Sequence, residues 1–87
     1  MTTINLVKSF AQGATSGNTG PSQYYGGTIT RASIKDNILY SYTTPIAKRT
    51  NEGIILNKHK YSQTTSKLQS YIRTYTNVIE EVEEISL

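Results

Sequence analysis

A change of hydrophobic period near residue 62 constrains this chain more than any other feature. Along ILYSYTTPIAKR the even positions Ile38, Tyr40, Tyr42, Thr44 and Ile46 alternate with Ser41, Thr43 and Arg49, the two-residue period of a strand with one buried face. Further on, Leu68, Ile72, Tyr75, Ile79 and Val82 recur at steps of four, three, four and three, with Tyr71 and Val78 beside them. That spacing is one apolar stripe of a helix running to about Glu84. A chain that does both in succession is an α+β domain.

The strand region is punctuated by turn formers. TITRASI, residues 28–34, is rich in β-branched side chains and lies between Gly26-Gly27 and Lys35-Asp36-Asn37, so a strand and a tight turn are expected, with residues 38–49 as the hairpin partner. Pro45 has no N–H, which calls for a bulge, a bend or an edge there. Thr50-Asn51-Glu52-Gly53 makes the next turn and Ile54-Ile55-Leu56-Asn57 a third strand. For the helix, Ser62, Thr64 and Ser66 are possible N-caps, and Ser66 with Gln69 fits a capping box. The expected fold is a three-stranded antiparallel β-meander with one C-terminal α-helix packed on a face. Residues 11–28 hold five of the six glycines, with Ser, Thr, Asn and Gln between them, and read as a flexible Gly/Ser-rich arm. Before it, Ile4, Leu6, Val7 and Phe10 suit a short strand or one helical turn docked on the core. The chain thus divides into an N-terminal segment and arm, 1–27, and a small domain, 28–87.

With 87 residues the core is small, and with no cysteine it has no disulfide to staple it. Cysteine-free composition suits a reducing cytoplasm, and the short broken apolar run at the N-terminus suits neither a signal peptide nor a membrane span, so a soluble protein is expected. A marginal core favours association, and Tyr71, Val78 and Ile85 offer apolar surface for a homodimer. The net charge of +3 conceals an asymmetry: Glu80, Glu81, Glu83 and Glu84 lie at the end, while residues 1–79 carry nine Lys or Arg against Asp36 and Glu52, a charge of +7. Such a body attracts acidic protein surfaces, nucleotides or nucleic acid, or else simply keeps the chain soluble.

Catalytic chemistry finds few residues to use. The single His59 lies between Lys58 and Lys60, there is no thiol, and only two carboxylates lie outside the tail. No set with metal-ligand spacing or phosphate-loop placement is visible, so neither an enzyme nor a cofactor is expected. Binding is better served. In NKHKYSQTTSK, residues 57–67, a helix N-terminus is surrounded by Lys58, His59, Lys60 and Lys67, with Ser62, Thr64, Thr65 and Ser66 able to donate hydroxyl hydrogens. This is either an anion site or a capped helix with solvated lysines. Tyr40, Tyr42, Tyr71 and Tyr75 occupy core-facing positions, whereas Tyr24 and Tyr25, in the polar arm before Arg31, suit stacking on bases or anchoring in a protein groove. Arg31, Lys48, Arg49, Lys58, Lys60 and Arg73 are the candidates for direct nucleic-acid contact, though they form no complete recognition motif.

LYSYTTPIAKR, followed by ILNKHKYSQTTSKLQSYIR, resembles a group of short bacteriophage-encoded proteins that share a Ser-Tyr-x-Thr strand with Ile-Ala, a second strand ending in Asn, and Tyr-Ser-x-Thr-Thr-Ser before a helix. The matching positions are Ser41, Tyr42, Thr44, Ile46, Ala47, Asn57, Tyr61, Ser62, Thr64, Thr65 and Ser66, within residues 38–73. The resemblance implies a viral origin and action in the host cytoplasm by binding and blocking a host machine. It makes a non-catalytic inhibitor of host defence, most plausibly an anti-CRISPR protein bound to a defence protein or ribonucleoprotein complex, the leading expectation. The alternatives are a dimeric small-anion binder that sequesters a nucleotide signal at Thr64, Thr65, Ser66 and Lys67, and a non-specific nucleic-acid-binding protein.

Overall fold

The computed structural model describes residues 2–18, 32–61 and 63–85, with Thr64 described by its backbone alone. At the N-terminus Leu6, Val7 and Phe10 need one common face, and a helix supplies it. Helix α1, Thr3–Ala11, begins where the Thr2 side chain accepts a hydrogen bond from the Asn5 N–H at 3.2 Å, and all three apolar side chains are fully buried. The guanidinium of Arg49 closes its other end, donating to the carbonyls of Phe10 and, at 2.9 Å, Ala14, and lying over the Phe10 ring. Residues after the helix, within the stretch expected to be a flexible arm, form strand β1, Ser16–Asn18; residues 19–28 of that arm lie outside the described residues.

Strands β2 (Ala32–Lys35), β3 (Ile38–Ser41), β4 (Thr44–Arg49) and β5 (Ile54–Asn57) follow, then helix α2 (Gln63–Tyr75) and strand β6 (Val78–Val82). The sheet has the order β1-β2-β3-β4-β5-β6, antiparallel throughout except for the parallel pair β5–β6. Among the described residues the fold is therefore a six-stranded mixed sheet with two helices, which corrects the expected three-stranded meander with a single helix. Register identifies the core face: Ile34, Leu39, Ala47 and Leu56 stand opposite one another in a row across β2 to β5, and all are buried. Leu6, Val7 and Phe10 from α1 and Leu68 and Ile72 from α2 pack against them, so the core includes residues well before position 28. The neighbouring row, Lys35, Ile38, Lys48, Ile55 and Glu80, projects from the other face and mixes apolar with charged side chains.

Besides α1 and β1, two departures from expectation lie within residues 28–87. The chain reverses at Tyr42-Thr43, with Ser41 paired to Thr44, so the even positions from Ile38 to Ile46 belong to two strands and do not share a face. The irregularity expected at Pro45 is present: Leu39 faces Ala47 while Tyr40 faces Pro45, leaving Ile46 as the extra residue of a bulge. The second departure is at the C-terminus. The helix stops at Tyr75, the Thr76 hydroxyl bonds back to the Ile72 carbonyl at 2.6 Å, and Val78–Val82 pairs with β5 as a parallel strand. Parallel pairing needs a crossover of about a dozen residues or more, and the 13-residue α2 provides it. As a strand, the acidic segment avoids the unfavourable end of the helix dipole. Arg73 on the last turn of α2 reaches Glu81 at 2.7 Å.

Gly53 lets this topology close. Its φ of +152° is one that other residues rarely adopt, and a Cβ there would sit 2.7 Å from Ile79 Cγ2 and 2.8 Å from the Asn77 carbonyl oxygen. The Ile54 N–H donates to that same carbonyl at 2.9 Å, tying the start of β5 to the start of β6. Gly53→Ala is expected to destabilise the protein by about 2–4 kcal/mol, since backbone strain of ~1–3 kcal/mol adds to a contact that only backbone movement can relieve. Urea denaturation measures this, and a midpoint equal to that of the parent chain would mean that the β5–β6 junction is looser than described.

The residues expected to offer a dimer surface are partly or wholly buried. Tyr71 and Val78 pack against the core, and Ile85 is 7% exposed.

Candidate binding surface

Three segments distant in sequence meet at one end of the sheet: the β3–β4 turn at Tyr42-Thr43, the stretch Lys58–Tyr61 that leaves β5, and the first turns of α2. Asn57, 1% exposed, organises them. Its amide nitrogen donates to the Pro45 carbonyl at 3.0 Å and to the Tyr61 hydroxyl at 2.9 Å, while its amide oxygen accepts from the His59 N–H at 2.9 Å. Gln69, buried on α2, donates to the carbonyls of Asn57 and His59 at 2.6 and 2.9 Å. This replaces the capping box expected of Ser66 and Gln69: the Gln69 side chain crosses to the sheet. Close by, the buried hydroxyls of Ser41 and Thr65 lie 3.1 Å apart, locking the end of β3 to α2. A polar node this well satisfied holds a single geometry, because any rearrangement would strip buried groups of their partners.

The node supports an exposed layer of aromatic and basic groups. Tyr42 is 52% and Tyr61 43% exposed, and Lys58, His59 and Lys60 are exposed beside Tyr61. The His59 and Tyr61 rings meet edge to face at 4.7 Å, and Glu83 lies 3.8 Å from Lys58 Nζ and 3.6 Å from His59 Nδ1. Tyr42 has φ +57°, in the left-handed region. The assignment of Tyr42 and Tyr75 to the core is corrected here. Tyr42 tips a two-residue turn, and Tyr75, 41% exposed, lies on the last turn of α2 beneath the ammonium of Lys8.

Sequence reasoning placed the anion site nearby, and the structure separates its members. Thr65 is turned into the sheet, Ser66 is half-buried, and Lys67 is exposed on the side of α2 that faces the start of α1. Lys58 and Lys60 belong to the exposed layer, whereas Arg73 is on the last turn of α2, paired with Glu81. Of the residues named for nucleic-acid contact, Lys48 projects from the sheet face opposite the core and Arg49 is committed to closing α1. The described ones therefore form no continuous basic track. Tyr24, Tyr25 and Arg31 lie outside the described residues, as does Ser62. Among the described residues no cluster of His, Asp or Glu is arranged to hold a metal ion, and no helix is long and apolar enough to cross a membrane.

Asn57, Gln69 and the exposed Tyr42 were not singled out as site residues by composition or spacing. The hydrogen bonds that build this end come from Ser41, Asn57, Tyr61, Thr65 and Gln69. The structure defines a small α+β domain whose β5-α2-β6 crossover completes a mixed sheet and whose loop end carries an aromatic and basic surface. The chain belongs to a family of unknown function, DUF8033, which it matches over residues 2–85. No curated protein and no solved structure matches it.

Proposed function

We propose that the protein acts by stoichiometric binding and not by catalysis, with the loop end around Tyr42 and Tyr61 as its contact surface. Tyr42 carries this reading. A bulky residue in the left-handed region costs about 1–2 kcal/mol that glycine would avoid, yet the tip of the turn holds an exposed aromatic ring there. Tyrosine is enriched among residues that dominate binding energy, and it offers large contact area at low entropic cost. Tyr61, fixed through Asn57, and the ammonium groups of Lys58 and Lys60 extend the surface toward a partner with acidic groups at its rim. The resemblance to bacteriophage-encoded proteins favours a host defence protein or ribonucleoprotein complex as that partner, an anti-CRISPR role foremost, in the host cytoplasm.

Tyr42→Gly separates stability from binding. The variant is expected to be more stable than the parent by up to about 1 kcal/mol, because the strained φ is relieved, and to lose at least tenfold in partner affinity, the usual scale for a binding hot spot. The measurements are urea denaturation and capture of the partner from nuclease-treated host lysate by the immobilised protein. Capture equal to that of the parent would remove Tyr42 from the contact surface. Binding lost on nuclease treatment and falling steeply with salt would move the reading to nucleic acid.

A further inference from the structure

The helix side of the fold contains a second feature, independent of the Tyr42 surface: a cavity of about 300 Å³ between the start of α1, the ends of β2 and β3, and the second turn of α2. Ile4, Ala32, Leu68 and Tyr71 supply apolar wall, while Thr3 and Lys67 bring polar groups to the lining. Among the described residues Lys67 is the sole charged one that lines it and is in no ion pair, it is exposed, and neither helix has an acidic residue in its first turn. We infer that this cavity is a ligand site for a small monocarboxylate with an apolar body, a medium-chain or aryl carboxylate, whose charged end meets Lys67 while its tail enters between the helices.

Size and chemistry both narrow the class. A volume of 300 Å³ is at the lower end of ligand pockets and holds about ten non-hydrogen atoms at liquid-like spacing, too few for a nucleotide. The apolar wall rewards a hydrocarbon tail, and an exposed ammonium with no carboxylate partner among the described residues rewards an anionic head.

Titration of the full chain with octanoate, octanol and octylamine, followed by amide chemical shifts, tests the assignment. Octanoate is expected to perturb Ile4, Ala32, Leu68 and Tyr71 in a saturable manner at millimolar concentration, with octanol at least about tenfold weaker and octylamine weaker still. Lys67→Gln is expected to weaken octanoate about tenfold and leave octanol unchanged. Tyr42→Gly should bind octanoate like the parent chain, so failure of the contact-surface reading and failure of this one give different results. No saturable shift at the cavity with octanoate, or equal binding of all three probes, would overturn the site.

Discussion

Phe10→Ala is expected to lower the stability of the protein by about 3–5 kcal/mol. Phe10 has no exposed surface and belongs to the cluster formed by α1, the sheet and α2, with the Arg49 guanidinium 5.0 Å from its ring centroid. Truncating a buried Phe to Ala costs about 3–5 kcal/mol, and an 87-residue domain has about 4–13 kcal/mol in all at ~0.05–0.15 kcal/mol per residue. The substitution therefore removes from a quarter of the stability to all of it. The helix is coupled to the sheet twice, through this ring and through the hydrogen bonds from Arg49 to the carbonyls that end α1. Removing residues 1–14 should for the same reason abolish the cooperative transition, because the buried cluster would lose Leu6, Val7 and Phe10 together. Circular dichroism during urea denaturation is the measurement. A truncated chain that still unfolds cooperatively at a similar midpoint would show that the sheet and α2 form a core without α1.

What could be read from the sequence was whatever local chemistry decides. The Asp36-Asn37 turn, the irregularity at Pro45, the turn ending at Gly53 and the start of α2 all follow from side chains within a few residues of the event. The features that escaped reading are decided at a distance. Val78, Ile79 and Val82 fit a helical stripe extended from Leu68 as well as they fit a strand, and what selects the strand is the open edge of β5, a partner more than twenty residues earlier in the chain. The reversal at Tyr42-Thr43 has none of the Gly, Asn or Pro that usually mark a two-residue turn, so one strand was read where two exist. Helix α1 gave only a few apolar residues, too short a run to distinguish a turn from a helix. The candidate surface inherits the same division. Lys58 and Lys60 were legible as exposed cations, but Tyr42 was placed in the core by an alternation that the turn interrupts.

Asn57→Ala is expected to cost about 3 kcal/mol and to disorganise the loop end even where the rest of the chain stays folded. The carboxamide serves the Pro45 carbonyl, the Tyr61 hydroxyl and the His59 N–H at once, and its removal leaves a cavity beside groups that have lost their partners. Each buried polar group left unsatisfied costs about 1–3 kcal/mol where water cannot reach it. The Tyr61 hydroxyl and the His59 N–H belong to exposed residues and can be met by solvent, so the penalty is concentrated on the Pro45 carbonyl and on the cavity itself. Asn57→Asp is the sharper test, because a carboxylate can still accept from the His59 N–H but has no hydrogen to donate to the Pro45 carbonyl and places negative charge against it. Asp should therefore be at least as damaging as Ala despite matching Asn in shape. Gln69→Leu should loosen the same segment from the opposite side, freeing the Asn57 and His59 carbonyls while leaving the sheet intact. Hydrogen exchange of the His59 and Tyr61 amides, together with urea denaturation, distinguishes local loss from global loss. If Asn57→Asp matched the parent chain in both measurements, the hydrogen bonds from its amide nitrogen would not be holding Tyr61 in place, and the loop end would be too mobile to present a preformed surface with Tyr42.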